Sequence, residues 1–115
     1  MIFLGKCLKL MTLVSVDLRK AAYWYLKSAQ KGNSVAQHNI GIAYFNGQGV
    51  TKNKEDGLAW ILMSIWGGVT QSESYAKRMK AKMSQQQITK AFERLMELNK
   101  KYGIFTNTPA PFELK

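Results

Sequence analysis

The chain contains few of the residues from which catalytic and metal sites are usually built. Its 115 residues include one cysteine, Cys7, and one histidine, His38. A single cysteine excludes a disulfide within the chain and any site made of several thiolates. A single histidine leaves neither a His-pair zinc site nor a convincing acid–base dyad. We therefore expect no enzymatic activity, no catalytic or metal-binding residues and no cofactor. We interpret Cys7 as a buried thiol and His38 as part of a helix face.

Acidic residues are also scarce in this sequence. Seven Asp and Glu stand against 17 Lys and Arg, which gives a formal net charge of +10 at pH 7. Such a charge attracts nucleic acid, anionic lipid or acidic protein surfaces, and it does not indicate which of these is the partner. The hydrophobic content of 46% is ordinary for a folded protein, and the length is that of one domain.

Long apolar runs are missing as well. Residues 32–51 and 57–72 lack formal charge, but the first range is rich in Asn and Gln and the second is shorter than the roughly 18 to 20 apolar residues that span a bilayer. The first 16 residues, MIFLGKCLKLMTLVSV, resemble a weak signal peptide without a clear cleavage site. We expect a cytoplasmic protein, or a periplasmic or secreted one if this segment is a signal peptide.

The most informative pattern is an internal repeat with a period of 36 residues. Self-similarity at a fixed period predicts a repeat architecture more firmly than local propensity predicts a single element. Trp24 and Trp60 recur once per repeat at equivalent helix positions, so both are predicted to be core residues. The identical pairs include Trp24 with Trp60, Leu26 with Leu62, Ser28 with Ser64, and Gly32 with Gly68.

Capping residues divide the chain into five predicted helices. Three segments of the form S/T-x-x-Q/E, at residues 34–37, 70–73 and 84–87, are predicted capping boxes. After the fifth helix two prolines prevent a further helix, so residues 104–115 are expected to be an extended tail. The predicted helices run from Asp17 to about Lys31, from Asn33 or Ser34 to the turn at Gly47, from Asn53 to about Trp66, from Thr70 to about Met83, and from Ser84 to Gly103.

Apolar spacing predicts which side of each helix is buried. In the first helix the expected buried face is Ala21, Trp24, Tyr25, Ser28 and Ala29. In the fifth it is Ile88, Phe92, Leu95, Met96 and Leu98 or Tyr102, with Arg94 largely outside it.

The glycine-rich segment NIGIAYFNGQGVTKN, residues 39–53, raises the possibility of a phosphate-binding loop. It lacks the G-x-x-x-x-G-K-[ST] order, and its glycines follow a predicted helix instead of a strand. We interpret Gly41 as a point of close helix packing, and Gly47 and Gly49 as a turn that side chains would obstruct.

The segment of residues 20–68 resembles the Sel-1-like repeats, a family of helical hairpins related to tetratricopeptide repeats. The pattern of that family is A-x-x-W, a pair of small residues, a glycine, A-x-x-x-L-G-x-x-Y and G-x-G-V. Residues 81–95, AKMSQQQITKAFERL, resemble the helix that caps such arrays. The matching residues are Ala21, Trp24, Ser28, Ala29, Gly32, Ala36, Ile40, Gly41, Tyr44, Gly47, Gly49 and Val50.

The resemblance implies an all-α fold, an α/α superhelix of the tetratricopeptide type with about two helical hairpins and a C-terminal capping helix. The expected organisation is a degenerate half-repeat or N-terminal cap at 1–16, a repeat region at 17–83, a capping helix at 84–103 and a tail at 104–115. A unit of this kind needs neighbours to bury its apolar face.

The resemblance also implies a non-enzymatic interaction module of bacterial type, whose concave groove binds a protein or peptide. Basic residues beside a small apolar patch suit an acidic partner. The alternative is a basic surface that binds nucleic acid or an anionic membrane, suggested by the net charge and the cluster Lys77, Arg78, Lys80 and Lys82. The candidate groove residues are His38, Ile42, Phe45, Asn46, Arg78 and Lys82.

Overall fold

The computed structural model of the chain describes residues 17–103, which form five helices and no strand. The predicted all-α fold of stacked helical hairpins is confirmed. The predicted half-repeat at 1–16 and the predicted tail at 104–115 lie outside the described residues. The helices are α1, residues 17–30 of the described range, α2 (Ser34–Asn46), α3 (Lys54–Trp66), α4 (Gln71–Ala81) and α5 (Gln85–Tyr102).

Most of the predicted helix ends are confirmed. Gly32, Gly47 and Gly103 have φ values of 100°, 74° and 60°, a left-handed conformation that is costly for any residue with a side chain. Asn53 caps α3 by accepting a hydrogen bond from the Asp56 amide at 3.0 Å. Ser84 begins α5 with the complete capping box that its sequence predicts.

Asp17 does not cap α1, and two of the three predicted capping boxes do not form. Asp17 is already helical where the described range begins. Asn33, one of the two predicted starts of α2, is its cap. The predicted box at 34–37 does not form, because the Gln37 side chain turns inward and its Nε2 donates to the Ala29 carbonyl at 3.2 Å. Thr70 makes no capping hydrogen bond, and its backbone is already in the helical region.

Helix α3 is the centre of the fold. Every residue from Leu58 to Ser64 is buried, as expected for a helix that contacts neighbours on all sides. Trp60 is 2% exposed, which confirms its predicted place in the core. Its ring lies 6.4 Å from that of Tyr102, whose hydroxyl accepts a hydrogen bond from Gln30 at 3.0 Å. The ends of α1 and α5 therefore meet beside Trp60.

The prediction that Trp24 is a core residue is wrong, since its side chain is 66% exposed. Helix α1 lies at the end of the described stack and packs through another side, where Ala22 and Ala29 are 2% and 0% exposed. Tyr25, also predicted to be buried, is 40% exposed. The repeat correctly gives Trp24 the same position as Trp60, but no element of the described chain covers it as α5 covers Trp60.

The predicted face of α5 is confirmed only in part. Leu95 and Leu98 are buried, but Met96 is half exposed, and Ala91 enters the core instead. Arg94 is drawn toward α3, where its Nε donates to the Asp56 carboxylate at 2.9 Å. None of the helices between residues 17 and 103 is both long and apolar enough to cross a membrane.

Candidate functional site

A cleft of about 180 Å³ lies between α2 and α4. Ile42 and Phe45 reach it from one helix, and Tyr75 and Met79 from the other. Phe45 is only 8% exposed, so its ring belongs to the wall of the cleft and does not project from it. Five of the six predicted groove residues line this one cleft, namely Ile42, Phe45, Asn46, Arg78 and Lys82.

Cations gather at the rim of the cleft. The Arg78 guanidinium lies 4.6 Å from the centre of the Tyr75 ring, which holds it by a cation–π interaction. Lys54 lies 5.9 Å from the Phe45 ring, and its Nζ is 3.5 Å from the carbonyl of Lys82. No carboxylate is among the residues that line the cleft. Within residues 17–103 the ion pairs are those of Arg94, so the cations of the cleft have no anionic partner there.

His38, the sixth predicted groove residue, lies behind the cleft and contacts its Tyr75 wall. The two rings meet edge to face with 5.0 Å between their centres. His38 Nδ1 is 2.7 Å from Ser72 Oγ, which is 2.5 Å from Ser64 Oγ, so the contact joins α2, α3 and α4. This network fixes the spacing of the helices on either side of the cleft.

The number of hydroxyl hydrogens available in this network determines which atom donates in each hydrogen bond and which nitrogen of His38 carries a proton. The single hydroxyl hydrogen of Ser64 goes to the Ile61 carbonyl at 2.6 Å. Ser72 must then donate to Ser64, and Ser72 Oγ must accept from a protonated His38 Nδ1. A histidine beside a serine suggests a hydrolase dyad, but Ser72 is 0% exposed and cannot meet a substrate.

We predict that the His38 network makes folding stability depend on pH. Burial lowers the pKa of His38 from its ordinary 6.5, so the folded chain resists protonation of the ring. The stabilisation is complete above pH 6.5 and is lost as the pH falls below that value. The melting temperature of the wild type should therefore fall relative to that of His38→Gln between about pH 7 and pH 5.5. A gap between the two melting curves that stays constant over this range would contradict the assignment.

Among the larger depressions of the described surface, two have apolar residues in their lining. One, of about 540 Å³, is bounded by Leu18, Arg19 and the turn at residues 47–51. The other, of about 460 Å³, exposes Ile88, Phe92 and Met96 beside Lys80 and Glu93. Neither brings two cations to an apolar floor, which is what distinguishes the α2–α4 cleft. In the part of the chain that the structure describes, no group of three His, Cys, Asp or Glu residues could hold a metal ion.

Sequence reasoning missed three residues that shape the cleft. Tyr75 supplies its central wall, and its position three residues before Arg78, one helical turn, was the available signal. Ser64 and Ser72 occupy positions that the repeat pattern fills with small residues, so nothing in the pattern indicated their contact with His38.

Comparison with known proteins identifies the family of the chain. No curated protein sequence matches it with significance. The sequence model of the Sel1 repeat matches twice in succession, at residues 1–33 and 34–65, which together are more than half of the chain. The second match covers α2 and most of α3, the hairpin whose first helix forms one side of the cleft. The chain therefore belongs to the Sel1 repeat family.

Proposed function

We propose that this protein is an adaptor whose α2–α4 cleft binds an acidic peptide segment of a partner protein. Sel1 repeats generally mediate protein–protein interactions and are generally not catalytic, which gives the class of function. The observation that carries the finer proposal is the pairing of an apolar floor with Arg78, Lys82 and Lys54, which have no carboxylate partner in residues 17–103.

The chemistry of the cleft supports an acidic ligand with one apolar anchor. A cleft of about 180 Å³ accommodates one aliphatic or aromatic side chain against Ile42 and Met79. Carboxylates on either side of that anchor would accept charge-assisted hydrogen bonds from Arg78 and Lys82. The exposed Asn46 amide can pair with the peptide backbone, since it offers both a donor and an acceptor.

The alternative of nucleic acid binding is weakened by how the basic residues between 77 and 82 are distributed. Arg78 and Lys82 line the cleft, whereas Lys80 lies 5.6 Å from the Phe92 ring on α5. The basic residues between 77 and 82 therefore do not form one surface along which a phosphate backbone could run.

Reversing the charges of the cleft should strongly weaken the binding of an acidic peptide. The probe is a fluorescent peptide with one leucine between runs of glutamate, measured by polarisation. Arg78→Glu with Lys82→Glu should weaken binding at least about tenfold, because each charge-assisted hydrogen bond contributes about 1.5 to 3 kcal/mol. The melting temperature should change little, since both side chains are exposed.

A matched control separates local recognition from net charge. Lys77→Glu with Lys100→Glu changes the total charge equally at exposed positions outside the cleft. We expect this control to weaken binding by less than about threefold, as long-range charge effects are screened at physiological salt. Equal losses in the two variants, or no binding of the acidic peptide by the wild type, would overturn the proposed function.

A further inference from the structure

The solvent-facing side of α1 presents an aromatic pair among lysines. Tyr23 and Trp24 are 53% and 66% exposed, and Trp24 is more exposed than any other large apolar side chain in residues 17–103. Their rings meet edge to face at 5.1 Å, and Lys27 Nζ lies 5.5 Å from the Tyr23 ring. Lys20 falls on the same side, because helical spacing places residues 20, 24 and 27 in one row, and the exposed Lys31 follows in the turn directly after α1. We call these five residues the α1 aromatic face.

The α1 aromatic face contributes little to the packing of the described chain. Helix α1 is held by its opposite side, through Ala22 and Ala29. Aromatic rings kept in water forgo the hydrophobic gain of burial, so an exposed Tyr–Trp pair at the centre of a polar rim is typical of a binding surface.

The charge around this face indicates what can bind there. The sequence from residue 18 to residue 54 contains six Lys and Arg and no Asp or Glu. The three lysines of the face have no carboxylate partner among the described residues. A second copy of the same face would bring like charges together, which disfavours a symmetric dimer through this surface. The partner is therefore anionic and able to bury aromatic rings.

We propose that the α1 aromatic face binds the surface of an anionic lipid bilayer. Tryptophan and tyrosine prefer the interfacial region, where the ring is buried and its polar atom stays wet. Lysines extend their apolar stems beside the rings and bring their ammonium groups to lipid phosphates. This attachment is peripheral, because the other side of α1 remains packed on the protein.

The arrangement of the rings suits a bilayer better than single-stranded nucleic acid. Nucleic acid needs open ring faces for stacking and a groove that follows its backbone. Here the rings stand at 81° to each other, Lys27 lies over the Tyr23 face, and the surface of a helix is convex.

Vesicle binding by the full chain tests the proposal. The probes are vesicles of phosphatidylcholine alone and vesicles of equal parts phosphatidylcholine and phosphatidylserine. The wild type should sediment only with the phosphatidylserine vesicles, and its tryptophan emission should shift to shorter wavelength. Trp24→Phe should remove that shift, because Trp60 is already buried and Trp66, at the end of α3, is packed against the core. Lys27→Glu with Lys31→Glu should lower the partition coefficient at least about tenfold, since each basic residue at an anionic surface contributes about fivefold.

The control is again Lys77→Glu with Lys100→Glu, which makes the same change in net charge on α4 and α5. We expect it to lower partitioning by less than about threefold. Failure of the wild type to bind, equal losses in the two charge variants, or an emission shift that persists in Trp24→Phe would each overturn the proposal. So would binding of a thymidine oligonucleotide through Lys27 and Lys31 in place of the vesicles. The peptide-binding test is independent of all these outcomes, because its variants alter α4.

Discussion

Replacing Trp60 by alanine should destabilise the protein by about 3 to 5 kcal/mol, while the same replacement at Trp24 should cost less than about 1 kcal/mol. The two tryptophans occupy equivalent positions in consecutive repeats. Trp60 is 2% exposed and lies against Tyr102, whereas Trp24 is 66% exposed. Removing the Trp60 ring leaves a cavity in the core, whereas removing the Trp24 ring leaves none, because most of that ring is already in contact with solvent.

Urea unfolding followed by circular dichroism measures both effects. Because a domain of this size has only about 5 to 15 kcal/mol of stability, Trp60→Ala loses a large fraction of it and should unfold at a much lower urea concentration than the wild type. Trp60→Phe keeps most of the ring volume and should remain folded with a smaller loss, so the series stays measurable. Equal losses at Trp24 and Trp60 would show that something buries Trp24 in solution.

The difference between these tryptophans marks the limit of what the repeat could predict. A period identifies equivalent positions, and it led to the right fold, the right turns at Gly32 and Gly47, and a buried Trp60. Burial also depends on the neighbour that covers a position, and this differs at the end of a stack. Periodicity therefore could not predict that Trp24 is exposed. That exposure is the observation that suggests a binding surface on α1.

The cleft could be predicted to a similar degree. The resemblance to Sel-1-like repeats placed Ile42, Phe45 and Arg78 beside one groove, and they do line one cleft. The exact role of each side chain depended on tertiary contacts that no local pattern contains. The Gln37 side chain bonds to the Ala29 carbonyl and not to the predicted cap, and His38 bonds to Ser72 behind the cleft.

Replacing Gly41 by alanine should also be strongly destabilising, against the usual preference of helices for alanine. A methyl group at this position would lie 2.7 Å from Ile61 Cγ1 and 2.9 Å from the Gly57 carbonyl oxygen. Alanine gains about 1 kcal/mol of helix propensity over glycine, but overpacking against a neighbouring backbone typically costs about 1 to 3 kcal/mol and here has little room to relax. We expect a net loss of about 1 to 2 kcal/mol in urea unfolding, whereas Ser74→Ala on the exposed surface of α4 should change stability by less than about 0.5 kcal/mol.

The pair of Gly41 and Gly57 allows a sharper test of the same contact. A methyl group added at Gly57 would lie 2.8 Å from the Gly41 carbonyl oxygen, so each glycine makes room for the backbone of the other. Once one substitution has moved α2 and α3 apart, the second meets less obstruction. Gly41→Ala combined with Gly57→Ala should therefore cost clearly less than the sum of the two single losses, with a coupling free energy of at least about 0.5 kcal/mol. Additive losses would mean that each methyl group is accommodated separately, and that the close approach of the two helices does not set the spacing on which the cleft depends.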